Sequence, residues 1–304
     1  MTLGGDSSGY TIVETMVFLA VTGILFVSAV ATVQGKQAVV QFSQGTRDAQ
    51  SKIQDVINQV STGYYPSTNS ISCTAPSGGA PIIVAGSKTQ GSSDDCIFLG
   101  KVIQLGTSGG TGFNAFSVAA RRQNASTNTT ATSLEQALPT AMAPTSNASS
   151  TPDSTEKTEF DYGLIVTRIM MPLQPKNSAT GKFPAGAFNG TTYGAVAFFT
   201  SLPTVSSGLL LASGAQHVSF GVVPESTLND STYKMAERIN LITDNPAPSV
   251  PSGKKTITLD PANGVVMCLS DDGGSRKAMI TIGGASSQTV ARLDVGSYDT
   301  GVCP

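Results

Sequence analysis

The chain has 304 residues, a net charge of −2 and only 12% charged residues. So sparse and balanced a charge argues against a protein built around broad nucleic-acid affinity, which needs clustered Lys and Arg. Abundant Gly, Ser and Thr, no Trp and one histidine, His217, describe a β-rich, loop-rich, exported chain.

Residues 1–9, MTLGGDSSG, are short and polar. Tyr10 to Val33 is then an apolar run with one charge, Glu14. As a helix it is about 36 Å long, enough to cross a hydrocarbon core of roughly 30 Å. It is too long for an ordinary secretory signal peptide. The first basic residue anywhere is Lys36, so no positive charge precedes the run. Polar residues begin at Gln34, yet apolar ones return at helical spacing. Phe42, Ala49, Ile53, Val56, Ile57 and Val60 fall on one face by steps of three, four and seven. Gly63 and Pro66 end the pattern. The spacing predicts one helix from about Tyr10 to about Thr62, apolar all round over 10–33 and amphipathic over 34–62. The stripe in its second half is the expected core against which a sheet packs.

From Ser67 short β-type runs alternate with Gly, Ser and Pro clusters. Strands are expected at Pro81–Ala85, Cys96–Leu105 and Phe113–Ala119. Residues 124–158 are dominated by Thr, Ser, Asn and Ala. They read as an exposed, largely unstructured polar insertion with a short helix at Leu134–Leu138. Strands resume at Tyr162–Leu173, Tyr193–Thr200 and His217–Val223, with a short helix at Lys234–Ile242. A proline-rich link, Asn245 to Pro251, precedes Thr256–Leu259, Val265–Leu269, Lys277–Ile282 and Thr289–Val295. Val265, Met267 and Leu269 alternate on one arm of a hairpin, Ala278, Ile280 and Ile282 on the other. Asp271-Asp272-Gly273-Gly274 is the turn. The fold class is therefore α+β, a long N-terminal helix on a mainly antiparallel β-rich head, residues 63–304.

The four cysteines, Cys73, Cys96, Cys268 and Cys303, form no CxxC pair, so a zinc site is not expected. Three pairings are open to them. The local pairs, Cys73 with Cys96 and Cys268 with Cys303, are preferred, each stabilising by ~2–4 kcal/mol in an oxidising compartment. The alternative is four buried thiols. Asp94-Asp95 and Asp271-Asp272 lack the spaced further ligands of a calcium loop and read as turn residues. Gly106-Thr107-Ser108-Gly109-Gly110 matches G-x-S-x-G, but no helix follows it, and His217 is the only histidine to act as base. No catalytic residues and no cofactor are expected.

Gly9-Tyr10-Thr11-Ile12-Val13-Glu14, followed by an apolar helix that turns amphipathic, resembles the N-terminus of type IV pilins and type II secretion pseudopilins. The resemblance covers about the first fifth of the chain. It implies that residues 1–9 are a leader, removed by a prepilin peptidase between Gly9 and Tyr10, with methylation of the new amine. It implies residence in the inner membrane, in contact with lipid and an assembly platform, and then export in a pilus or pseudopilus among other pilin subunits. A carboxylate in a low-dielectric helix bundle seeks a cation. Glu14 would meet the Tyr10 amine of a neighbouring subunit only when the helices are staggered correctly. That would set register as a buried polar residue does in a coiled coil. The C-terminal hairpin, with Arg276 just after its turn, is similar to the end of the H-type pseudopilins and the FimU and FimT minor pilins. The expected role is thus a minor pilin or pseudopilin. A second reading is a competence pilin that binds DNA, or an adhesin for a host-cell surface. Lys254, Lys255, Arg276, Lys277 and Arg292 gather toward the C-terminus, either as a solvated face or, as in FimT-like pilins of DNA uptake, as phosphate contacts. Without interleaved aromatic residues such contact would be weak and salt-sensitive.

Overall fold

A computed structural model of the chain describes residues 11–63, 71–77, 79–86, 95–105, 110–124, 127–132, 134–143, 153–177, 179–180, 182–188, 190–200, 218–224, 258–259, 263–283, 289–295 and 302–303. The chain divides into two compact units, Met1–Gln44 and Gly45–Pro304. One helix, α1 (Ile12–Ser61), belongs partly to each. It matches the predicted span, and it ends as the sequence suggests. Gly63 takes φ +66°, a conformation that costs a residue without Cβ little. Its N–H donates to the Val60 carbonyl at 3.1 Å, closing the last turn.

Among its described residues the second unit has thirteen strands, all paired antiparallel. A hairpin of β1 (Ile71–Thr74) and β2 (Ile82–Ala85) stands apart. The larger sheet is built on β3 (Cys96–Leu105) and β4 (Gly112–Arg121). Its other strands are β5 (Thr140–Ala141), β6 (Glu156–Glu159), β8 (Tyr193–Thr200), β9 (Val218–Pro224) and β10 (Thr258–Leu259). The order is β10-β9-β8-β3-β4-β5, with β6 also on β4. The smaller sheet runs β13 (Ala291–Val295), β12 (Lys277–Ile282), β11 (Val265–Ser270), β7 (Ile165–Met170). The predicted hairpin is β11 and β12, and its two apolar sets face each other as cross-strand pairs: Val265 with Ile282, Met267 with Ile280, Leu269 with Ala278. All six are buried, so this pairing is a main unit of the sheet's stability.

The α1 stripe also behaves as predicted. Phe42, Ala49, Ile53, Val56, Ile57 and Val60 are buried. Within the second unit the helix touches both sheets through polar side chains. Gln50 Nε2 donates to the Ala291 carbonyl at 2.8 Å, and the Ala291 N–H donates to Gln54 Oε1 at 2.9 Å. Two glutamines one turn apart thus occupy the open backbone groups at the start of edge strand β13, which would otherwise invite another strand. Lys52 donates to the Glu159 carbonyl at 2.8 Å, just beyond Thr158 on β6.

Both local disulfides are present, Cys73–Cys96 and Cys268–Cys303. The first ties β1 to the start of β3. A buried Arg121, paired in register with Cys96, holds the same hairpin from another side. Its guanidinium donates to the carbonyls of Pro76 and Gly79 in the β1–β2 connection and of Gln123.

The expectation of a largely unstructured insertion is corrected for its described residues, 124, 127–132, 134–143 and 153–158. Its short helix, α2 (Leu134–Ala137), stands where predicted. Around it, however, Ala131, Ala137, Ala141 and Ala143 are buried in one cluster with Leu99, Phe116, Val118 and Phe199. Strands β5 and β6 both pair with β4. Alanines pack flush on a sheet without a long apolar pattern, and ladder hydrogen bonds need no particular side chain. Even Ser154 is used: its hydroxyl accepts from the Ser117 N–H at 3.0 Å and donates to the Met142 carbonyl at 2.7 Å. The helix expected at Lys234–Ile242 and the link at 245–251 lie outside the described residues.

Candidate functional site

The first turn of α1 begins at Thr11. Its hydroxyl accepts the backbone N–H of Glu14 at 3.3 Å, and its carbonyl accepts from Thr15 N–H. Thr11 is therefore the N-cap and Glu14 the third helical residue, the T-x-x-E pattern of a capping box. A carboxylate there is also favoured by the helix dipole. The T-x-x-E spacing makes this cap legible in the sequence.

Beyond that turn the helix presents apolar side chains all round. Ile12, Ile24 and Phe26 are each more than 70% exposed within the chain, with Val13, Met16, Phe18, Leu19 and Leu25 close behind. Its hydroxyls are turned back on its own backbone. Thr15 donates to the Ile12 carbonyl, Thr22 to Phe18 and Leu19, and Ser28 to Leu25, at 2.8–3.1 Å. In water this gains little. In hydrocarbon it is how such groups avoid standing unsatisfied. The helix is long and apolar enough to cross a membrane. Glu14 is the one charged residue in the run up to Lys36.

The predicted cleavage pair, Gly9 and Tyr10, lies outside the described residues. So do Asp94, Ser108, His217, Lys254 and Lys255. Among the described residues, no three His, Cys, Asp or Glu side chains come together as a metal site would require.

The remaining basic residues, Arg276, Lys277 and Arg292, stand at the β11–β12 hairpin and on β13. Arg276 pairs with Asp271 at 3.0 Å, and Lys277 Nζ donates to the Cys303 carbonyl at 3.3 Å. Arg292 is exposed. It sits opposite Thr281, four residues along β12 from Lys277, so the two stand roughly 13 Å apart along the strand. Asp271 is a turn residue, as read. Its carboxylate accepts from Ser275 Oγ at 2.7 Å and from the Arg276 N–H at 2.9 Å. Burial pushes its pKa up, but the hydrogen bonds from Arg276 and Ser275 and the Arg276 charge outweigh this and leave it below the ordinary carboxylate range. A carboxyl group depressed on folding stabilises above its unfolded pKa and loses that contribution as pH falls through the folded value. Asp271→Asn should thus lower stability at neutral pH, and the gap to the natural chain should close as pH drops below about 4. Thermal unfolding of both proteins across pH 2–7 measures this, and a gap independent of pH would contradict it.

One charged residue escaped the sequence reading as a site. Lys101, in the apolar run CIFLGKVIQL, is 2% exposed. Its ammonium donates to Gln59 Oε1 at 2.7 Å and to Glu156 Oε2 at 3.3 Å. A lone lysine inside a strong strand pattern was the available signal.

Comparison of the chain with protein-family models, curated proteins and solved structures finds no match in any of the three.

Proposed function

We propose that the chain is a minor type IV pilin or pseudopilin, a structural subunit that is cleaved after Gly9 and enters a filament through α1. One observation carries this reading. A helix segment apolar on every side, with a single carboxylate in its first turn, continues without a break into residues that form part of the core of a β-rich head. A soluble helix has no use for so complete an apolar surface. The first-turn position and the helix dipole favour a carboxylate there, but charge inside a membrane segment is expensive and is kept where it does something further. A subunit that moves from lipid into a bundle of like helices uses both. On this reading the chain waits in the inner membrane before assembly, with the prepilin peptidase, the assembly platform and other pilins as its partners; a helix long and apolar enough to cross a membrane supports it.

Processing supplies the first test. When the full chain is made in a cell containing a prepilin peptidase, the mature protein should begin at Tyr10 and carry one added methyl group at its amine. Intact mass and N-terminal peptide analysis read both. A membrane-inserted chain left whole by an active peptidase would overturn the reading. The DNA-binding alternative draws less support from the head, since Arg276 and Lys277 already serve internal partners.

A further inference from the structure

The Lys101 cluster has no part in that account. A central strand between β4 and β8 would ordinarily carry an apolar side chain at this position. Instead it carries an amine, and the amine meets two groups from remote parts of the chain. Gln59 comes from α1 and Glu156 from β6. Desolvating a lysine costs several kcal/mol, and a cheaper hydrophobic residue would serve packing equally well.

The three groups are those of an acyl transfer. Gln59 supplies the carbonyl, Lys101 the nucleophile and Glu156 a proton acceptor. With Nζ at 2.7 Å from Oε1, the nitrogen lies roughly 3–4 Å from carbon Cδ, close to the 3–3.5 Å of atoms poised to react. The other end of the carboxamide is held as well, since Gln59 Nε2 donates to Asp55 Oδ2 at 3.3 Å. The leaving nitrogen therefore faces an exposed aspartate at the surface, while the carbonyl faces the buried amine. Glu156 is half exposed, which opens the site to bulk water on its outer side.

We propose that Lys101 and Gln59 become joined by an isopeptide bond, with Glu156 as the proton carrier. Glu156 takes a proton from the lysine ammonium, and the freed Nζ pair attacks Cδ. The bond from Nζ to Cδ forms and the bond from Cδ to Nε2 breaks. Glu156 passes that proton to Nε2, which leaves as ammonia; the newly bonded Nζ then gives its second proton to Glu156, which releases it to water, where the ammonia takes it up as ammonium. Nothing is oxidised or reduced. The product ties the second half of α1 covalently to the central strand of the larger sheet.

Intact mass of the full chain, purified in detergent with both disulfides in place, tests this. The natural protein should be lighter by one ammonia than its sequence requires. Proteolysis should yield a branched peptide joining Lys101 to Gln59, with no tryptic cut after Lys101. Lys101→Arg keeps the charge but cannot form the amide, and should restore the full mass. Glu156→Gln should stay at full mass with both reacting residues present. A natural chain at full mass overturns the proposal whatever the variants do. A deficit that persists in Lys101→Arg places the lost ammonia elsewhere and overturns it too. A bond that forms fully in Glu156→Gln removes Glu156 from the mechanism as stated.

Discussion

Gly100→Ala should destabilise the head by about 3 kcal/mol or more, the upper end of what a single added methyl group does. The reason is space. The glycine's backbone is not in the left-handed region, so no conformational demand is involved. A Cβ at this position would stand 1.9 Å from the Phe198 carbonyl oxygen and 2.9 Å from the Phe199 Cα. Those are backbone atoms of β8 and cannot turn aside. Gly100 pairs with Phe199 on one side and Val118 on the other, immediately after the register slip between Phe98 and Gly100. The slip removes Leu99 from the ladder and sends its side chain into the core, where it is fully buried. Moving β8 away would open the sheet along its centre, through Phe198 and Phe199, both buried. The matched control is Gly273→Ala in the β11–β12 turn, where a Cβ meets nothing within 4 Å. That change should stay within about 0.5 kcal/mol. Urea unfolding of the two variants checks the contrast. Equal stability would mean that β3 and β8 are not packed as described.

Why some elements could be read from sequence and others not follows from what each depends on. The β11–β12 hairpin announces itself because its arms alternate and its turn is Asp-Asp-Gly-Gly. Strand β8 was read to the residue, since Tyr193–Thr200 is an apolar run bounded by turn formers. The α1 stripe at Ile53, Val56, Ile57 and Val60 is a helical period and nothing else. By contrast β6, with the sequence EKTE, has no apolar residue at all. It pairs because β4 offers it a backbone edge, and its side chains say nothing of that. Ala131, Ala137, Ala141 and Ala143 carry too little hydrophobicity to stand out among serines and threonines, yet they fill the space over Leu99 and Phe116. The local disulfide pairs were preferred on separation alone, and the fold agrees. At the candidate site, Glu14 was visible as a charge in an apolar run. The Thr11 cap on its backbone N–H is equally legible there as T-x-x-E. Of the five basic residues, Lys254 and Lys255 lie outside the described residues. Strand register separates Lys277 from Arg292, and Asp271 claims Arg276.

Two contributions meet at Glu14: Thr11 caps its backbone N–H, and its side chain completes the T-x-x-E pattern and sets a charge at the helix N-terminus. Glu14→Val keeps the Thr11 bond to the backbone N–H and removes both the side chain's part in the box and its charge. Glu14→Gln separates them, since glutamine at the third helical position preserves the cap but carries no charge for a neighbouring amine. If the carboxylate serves assembly through an ion pair, Glu14→Gln should be processed and membrane-inserted like the natural chain. Its incorporation into filaments should nevertheless fall by about tenfold or more, the consequence of leaving a buried cation unpaired. The decisive experiment compares the natural chain, Glu14→Val and Glu14→Gln in cells with a working assembly system, quantifying each in sheared filaments against its level in the membrane. The predicted result is that both variants remain in the membrane fraction. Filaments containing Glu14→Gln at the natural level would contradict the account and reduce Glu14 to a helix cap.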